Sequence, residues 1–243
     1  MKTILYVHGL GGGGDSRIPG ILSEYYARNQ VPARVICKTY DFDPEKAAAF
    51  LARLAEEMQP DLVIGESLGA AQALRIPLWR TEDSGTLKAV PHLFVSPSLG
   101  APLWLGRCAF LALIPGVRPL FNYLYRPKHP GDRQVSDFRF GTLKKYRAHY
   151  RKALATAREG LRTSEATAAR SGPVGKTATP PAHPYFAFFG TRDHYRKSGV
   201  VSVRRWEKLF GKESYALYDG THFMEEEYIR SMLIPRIDAL LHL

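Results

Sequence analysis

The feature that most restricts this chain is a short run, Asp61-Leu62-Val63-Ile64, that passes without a break into Gly65-Glu66-Ser67-Leu68-Gly69 and an Ala-rich stretch. A short, continuously apolar run reads as a strand buried on both faces, as central strands of parallel sheets are. A G-x-S-x-G pentapeptide between such a strand and a helix makes a sharp turn. The serine there takes a strained backbone conformation that only small residues two positions away permit. Ser67 would then project above the sheet with its helix starting just behind it. Taken alone, the pentapeptide reads equally well as a helix N-cap between two permissive glycines, so the rest of the chain must decide.

The rest of the chain alternates in the same way. Lys2 to Val7 is β-branched and aromatic and ends at His8-Gly9-Leu10 and the glycines Gly11 to Gly14, which reads as a buried strand and a tight loop. Asp15 or Ser16 caps a helix through Asn29. Ala33 to Tyr40 is a second strand, and Asp43-Pro44 opens a helix with Ala47, Leu51, Leu54 and Met58 at helical spacing. The helix after Ser67 is expected to run through Trp79, and Ala89 to Val95 forms a fourth strand ending at Ser96-Pro97-Ser98. Tyr185 to Phe189 and Ser214 to Tyr218 supply a fifth and sixth, with helices over Val201 to Phe210 and Phe223 to Leu241. The expectation is an α/β chain in three layers, built on a mostly parallel sheet of about six strands covered on both faces. Residues 1–99 and 185–243 form its core, and residues 100–184 are an insertion.

Two later loops carry partners for Ser67. Gly190-Thr191-Arg192-Asp193 follows the fifth strand and Gly220-Thr221-His222-Phe223 the sixth, giving the chain order serine, acid, base. His222 would take the proton from the Ser67 hydroxyl and return it to a leaving group, with Asp193 holding the imidazole in the useful tautomer. Other carboxylates compete for the acid role. Asp219 lies on the strand side of Gly220 and is read as capping the turn. Asp41 and Asp43 follow the distant second strand, and the loop after the fourth strand offers only Ser96-Pro97-Ser98. His194 is read as a loop residue and His8 as a histidine that shapes its loop. Backbone N–H groups of Leu68 and of Leu10, or alternatively Gly11, would stabilise an oxyanion. The Gly11 to Gly14 run lacks the Gly-Lys-Ser/Thr ending of a nucleotide-binding loop, so an oxyanion loop ranks ahead of a phosphate site.

Strand-His8-Gly9, the Ser67 pentapeptide, Asp193 and His222 together resemble the α/β-hydrolase superfamily. The compact core is similar to small bacterial carboxylesterase-like hydrolases over residues 1–99 and 185–243. The resemblance implies hydrolysis of an ester or thioester through an acyl-enzyme, with no metal and no organic cofactor, and it places a cap at the position of residues 100–184. It does not fix the substrate, because one scaffold hosts many chemistries. Two alternatives stand beside it: a catalytically silent hydrolase-fold protein that binds an anionic partner through the cap, and a hydrolase of amide or carbon–carbon bonds.

Composition matters chiefly through where the charge lies. The net charge is +11, and residues 100–184 hold 15 Lys and Arg against 4 Asp and Glu, leaving the rest of the chain neutral. Within the insertion, Trp104 to Tyr125 is apolar and aromatic, broken at Pro115-Gly116 and Pro119. Two short helices or a hairpin covering a pocket follow from this, with Trp104, Phe110 and Leu111 shaping an apolar acyl pocket. From Asp137 to Glu165, apolar residues from Leu143 to Leu161 recur at helical spacing among lysines and arginines, a basic amphipathic helix. Its plainer reading is an apolar stripe packed on the core with solvated charges. Its sharper one is a face for something anionic: a phospholipid surface, an acyl carrier, a coenzyme A ester or a substrate head group. Nucleic acid is not expected, since no recognised binding module accompanies the charge. Thr163 to Pro184, rich in Ala, Thr, Gly, Ser and Pro, reads as an irregular return to the core. The two cysteines, Cys37 and Cys108, are read as reduced thiols. The N-terminal apolar run is too short for a secretory signal, which gives cytoplasmic location as the expectation.

Overall fold

A computed structural model describes residues 1–82, 85–127, 131–170 and 183–243, the side chains of residues 168–170 excepted. Its centre is a six-stranded sheet. In chain order the elements of the first half are β1 (Lys2–Val7), α1 (Arg17–Arg28), β2 (Ala33–Cys37), α2 (Pro44–Met58), β3 (Leu62–Glu66) and α3 (Gly69–Ala73). Then come the hairpin strands β4 (Trp79–Thr81) and β5 (Leu87–Ala89), and β6 (His92–Val95). The insertion contributes α4 (Ala101–Arg107), a 3-10 turn (Cys108–Leu113), α5 (Val117–Leu124) and α6 (Phe140–Arg170). The chain closes with β7 (Tyr185–Gly190), α7 (Val203–Phe210), β8 (Tyr215–Tyr218), α8 (Glu226–Tyr228), a π-turn (Ile229–Leu233) and α9 (Ile234–Leu241).

The main sheet runs β2-β1-β3-β6-β7-β8, and every pairing in it is parallel. Alternation along the strands feeds two cores. Leu5, Val7, Val63, Phe94, Ala187 and Phe189 pack on one face with residues of α2, α3, α6 and α7. Ile4, Tyr6, Leu62, Ile64, Leu93 and Val95 pack on the other with α1 and α9. Three layers with a sheet buried on both faces explain why the strands read as unbroken apolar runs. This is a three-layer α/β arrangement of the kind the resemblance implies, and the insertion helices leave the sheet between β6 and β7.

Several boundaries differ from the sequence reading, and proline accounts for most of them. The helix after Ser67 stops at Ala73 instead of reaching Trp79, because Pro77 follows within a turn and disfavours helix before it. Trp79 instead opens an antiparallel two-stranded hairpin with Ala89. The expected strand from Ala89 to Val95 is split at Pro91, which has no N–H for a ladder, so only His92–Val95 joins the main sheet. The second strand ends at Cys37, short of Tyr40. In the last helix, expected from Phe223, helical structure begins at Glu226 and passes through the π-turn just before Pro235, where an N–H is missing from the ladder. Ser16 occupies the N-cap of α1, but its hydroxyl accepts from the N–H of Gly13 at 2.9 Å and makes no helix-capping bond.

Helix α6 extends from Phe140 to Arg170, longer than the 137–165 expected, so the first part of the supposed irregular return is helical. The remainder of that segment, residues 171–182, lies outside the described residues. The apolar stripe of α6 is buried, with Leu143, Tyr146, Tyr150, Ala153 and Ala157 nearly or fully enclosed. Lys145 pairs with Asp43, and Lys152 reaches Glu45 at 3.2 Å. The stripe thus packs on the core as its plainer reading expects, with these two lysines paired rather than merely solvated. Cys37 and Cys108 are both free thiols. Among the described residues no helix is long and apolar enough to cross a membrane.

Candidate active site

The Gly65–Gly69 turn is built by close packing of backbone. Ser67 has φ +49, a left-handed conformation that a serine adopts only when its surroundings impose it. Its N–H donates to the carbonyl of Val95 at 3.0 Å, and its own carbonyl accepts from the N–H of Ser98 at 3.0 Å. The flanking glycines are needed for space. A Cβ on Gly65 would come within 2.8 Å of the Ala73 methyl, and one on Gly69 would lie 2.5 Å from the Val7 carbonyl oxygen and nearer still to that of His8. The tip of β3 is thus wedged between the ends of β1 and β6, and Ser67 stands at the carboxyl edge of the sheet.

The loops after β7 and β8 meet it there. His222 Nε2 is 2.8 Å from Ser67 Oγ, and His222 Nδ1 is 2.7 Å from Asp193 Oδ2. A carboxylate only accepts, so Nδ1 carries the proton and Nε2 presents its lone pair to the Ser67 hydroxyl. Asp193 and His222 are both almost fully buried. The second Asp193 oxygen accepts the N–H of Tyr195 at 2.8 Å, which fixes the carboxylate plane. The competing carboxylates are elsewhere: Asp219 pairs with Arg192 at 3.2 Å, Asp41 with Lys46 at 3.2 Å, and Asp43 caps α2 through the N–H of Glu45.

The His222 loop is held from three sides. Tyr218 donates to the Thr221 carbonyl at 2.8 Å, the Glu225 carboxylate accepts the N–H of Thr221 at 3.0 Å, and the Arg17 guanidinium donates to the carbonyls of Phe223 and Met224. Tyr195 packs edge-on against the His222 ring, 4.7 Å between centroids. Burial, then the neighbouring Tyr125 hydroxyl and the Asp193 charge, push the Tyr195 phenol above its usual range. His194 lies further off, 6.4 Å from the His222 ring.

On the other side of Ser67 is the loop after β1. A Cβ built on Gly9 would sit 3.0 Å from Ser67 Cβ, so this backbone lies directly against the serine. His8 is buried and stacked on Tyr40 at 4.1 Å, its Nδ1 2.8 Å from the Gly9 carbonyl, and burial lowers it to about 4. Tyr40 donates to the His8 carbonyl. Gly11 spends its N–H on Gln134 Oε1 at 3.3 Å, whereas among the described residues no acceptor meets the N–H of Leu10 or Leu68.

Two residues around Ser67 were not singled out from sequence. Ser98 Oγ lies 3.2 Å from Ser67 Oγ. Gln134, buried in the insertion, ties the glycine loop to the segment after β2. Beyond the Gly11 bond, its amide nitrogen donates to the carbonyls of Tyr40 and Asp41 at 3.2 and 3.3 Å, and its backbone N–H donates to the Gly12 carbonyl at 2.7 Å. A lone Gln in a polar stretch carries no local sequence signal; only the tertiary path reveals it.

The residues expected to line an acyl pocket are placed differently from one another. Trp104 and Phe110 are 53% and 59% exposed, and Leu111 is half-buried. The apolar set that packs on Leu68 and Leu10 is instead Phe42, Ala109, Phe138, Leu143 and Tyr146. A cleft of about 590 Å³ runs between residues 39–43 and 134–142, and none of Ser67, Asp193 and His222 lines it. Among the described residues no cluster of three or more His, Cys, Asp or Glu side chains could hold a metal ion.

No protein-family model matches the chain, and no curated protein does. Among solved structures, one described under the words "Novel epoxide hydrolases belonging to the alpha/beta hydrolases superfamily in metagenomes from hot environments" is similar, covering 99% of this chain and 89% of that chain at 12% identity. Its TM-score is 0.45.

Proposed function

We propose that this chain is a serine hydrolase that cleaves a carboxylic ester or thioester through an acyl-enzyme, with Ser67 as nucleophile, His222 as base and Asp193 as acid. The observation that carries the reading is the unbroken relay from Ser67 Oγ to His222 Nε2 at 2.8 Å and from His222 Nδ1 to Asp193 at 2.7 Å, with the serine at φ +49. Nothing in a helix N-cap calls for a histidine and a buried carboxylate in line with its hydroxyl.

In the mechanism, Ser67 Oγ attacks the acyl carbon as His222 Nε2 takes its proton, and the buried Asp193 carboxylate stabilises the imidazolium so formed. The carbonyl oxygen becomes an oxyanion. The N–H groups of Leu10 and Leu68, which have no internal acceptor and flank the serine, are its donors. Gly11 is excluded from that role by its bond to Gln134. His222 then protonates the leaving alkoxide or thiolate, and a water activated by the same nitrogen releases the acid. On this reading residues 100–184 act as a cap, since Ala109, Phe138 and Leu143 share one apolar cluster with Leu68, with Trp104 and Phe110 exposed and Leu111 half-buried. The chemistry needs neither metal nor organic cofactor.

The test is covalent labelling with a fluorophosphonate together with turnover of p-nitrophenyl acetate. Wild-type protein should label at Ser67 and turn over; Ser67→Ala should do neither and keep its fold by circular dichroism. Absence of labelling in wild type would leave the silent, anion-binding scaffold as the reading. Labelling without ester turnover would point to amide or carbon–carbon substrates.

A further inference from the structure

The insertion contains a helix that is turned inside out. Amphipathic helices of water-soluble folds put their apolar stripe on the core, and α6 does so. In α5 no residue is fully buried. Phe121 packs inward on Phe138, 5.6 Å between centroids, and Asn122 accepts the N–H of Phe138 at 3.0 Å. The opposite face, Leu120, Tyr123 and Leu124 at i, i+3 and i+4, points to solvent. Phe110, Leu113 and Ile114 of the preceding turn join it, all six between 48% and 65% exposed. At about 100 Å² apiece these side chains bare on the order of 600 Å², the upper end of what a monomeric protein leaves uncovered without a binding role.

The charge along the crown's own segment has one sign. No Asp or Glu occurs from Ser84 to Gly131, while Arg107, Arg118, Arg126 and Lys128 fall within or beside the crown segment. Arg118 is bonded to Asp137 at 3.3 Å, but Arg107 and Arg126 are exposed, and the Arg126 guanidinium lies 4.1 Å over the Tyr123 ring. A projecting apolar centre bearing a tyrosine and rimmed by arginines matches a lipid interface, where aromatic side chains sit at the headgroup level and cations meet anionic lipids. An acidic carrier protein would need the cations but would leave the Leu120, Tyr123 and Leu124 face unexplained.

We infer that α5 and the turn before it form a docking surface for an anionic phospholipid bilayer, with Leu120, Tyr123 and Leu124 entering the interface and Arg107 and Arg126 meeting lipid phosphates. Tyr195 packs against His222, and the exposed Phe223 stands next to it. The surface does not depend on the hydrolase reading, and it is tested on Ser67→Ala protein.

Co-sedimentation with vesicles of equal parts phosphatidylglycerol and phosphatidylcholine should capture the protein, and vesicles of phosphatidylcholine alone should capture far less. Leu120→Ser with Leu124→Ser, both on solvent-facing positions, should lower the partition coefficient by more than about tenfold. Arg107→Gln or Arg126→Gln should each lower it about fivefold on anionic vesicles only. Sedimentation velocity without lipid should show a monomer. The proposal is overturned by absent binding, by equal binding to both vesicles, by a double variant that binds like wild type, or by a dimer that the double variant dissociates.

Discussion

Replacing Gly69 with alanine tests the geometry on which the whole site rests. The new Cβ would lie 2.5 Å from the Val7 carbonyl oxygen and closer to that of His8, while ordinary van der Waals contact begins at 3.4 Å. Both obstacles are backbone at the end of a central strand, so no flexible side chain can yield. The tip of β3 and the end of β1 must therefore part by about 1 Å, an overpacking that costs about 3 kcal/mol. In a chain of this size that lowers the melting temperature by about 6–12 °C. The same shift carries Ser67 away from the loop that holds Leu10, and a displacement of about 1 Å in a reacting constellation costs about 10²-fold in turnover. Thermal melting by circular dichroism and p-nitrophenyl acetate turnover read the two effects. Gly20→Ala, in α1 with nothing within 4 Å of the new methyl, is the internal control; it should gain about 0.5–1 kcal/mol from helix propensity. A Gly69→Ala protein that melts and turns over like wild type would refute the steric account of the elbow.

Asp193→Asn should keep the fold and reduce kcat by about 10⁴-fold, because an amide that donates to Nδ1 selects the wrong imidazole tautomer; a loss below tenfold would remove Asp193 from the triad. Gln134→Leu strands the Gly11 N–H and the Tyr40 and Asp41 carbonyls. It should destabilise by about 2–4 kcal/mol in urea titration, with a parallel fall in turnover as the glycine loop loosens, and unchanged stability would show that the clamp is idle. Acid should weaken the fold well above the carboxylate range. Burial lowers His8, His92 and His149 from 6.5 to about 4. The unfolded chain therefore binds the extra protons, and the stability these groups contribute is present above pH 6.5 and lost as pH falls toward 4. Each should cost about 1 kcal/mol between pH 7 and about 5.5, and a flat urea midpoint over that window would contradict three buried neutral imidazoles.

The parts of the molecule legible in sequence are those where local chemistry allows one solution. The run from Leu62 to Gly69 is apolar on both faces and small at both flanks, so strand and sharp turn are legible there, and the later loops bearing Asp193 and His222 set Ser67 apart from a helix N-cap. Asp193 and His222 were legible for a related reason: each follows a Gly-Thr pair at the end of a strand, and parallel strands joined by right-handed crossovers bring such ends to one edge. Helix boundaries were less legible where a proline sits beyond the apolar period, as at Pro77, Pro91 and Pro235. A periodic pattern says where side chains could point but not where the hydrogen-bond ladder fails.

What the sequence by itself determined is thus the parallel sheet, the strained elbow and the order of the three polar residues. Only the tertiary structure decided which way the helices of the insertion face. Its 15 basic residues offered an anionic partner as the sharper reading of α6 beside a stripe packed on the core; α6 buries that stripe and pairs two of its lysines with α2 and its cap. The exposed apolar face belongs to α5, whose Leu120, Tyr123 and Leu124 have the same spacing as any core-facing helix. Periodicity defines a face but not its direction. That direction is set by which side finds a partner, and here Phe138 meets the other one through Phe121 and Asn122.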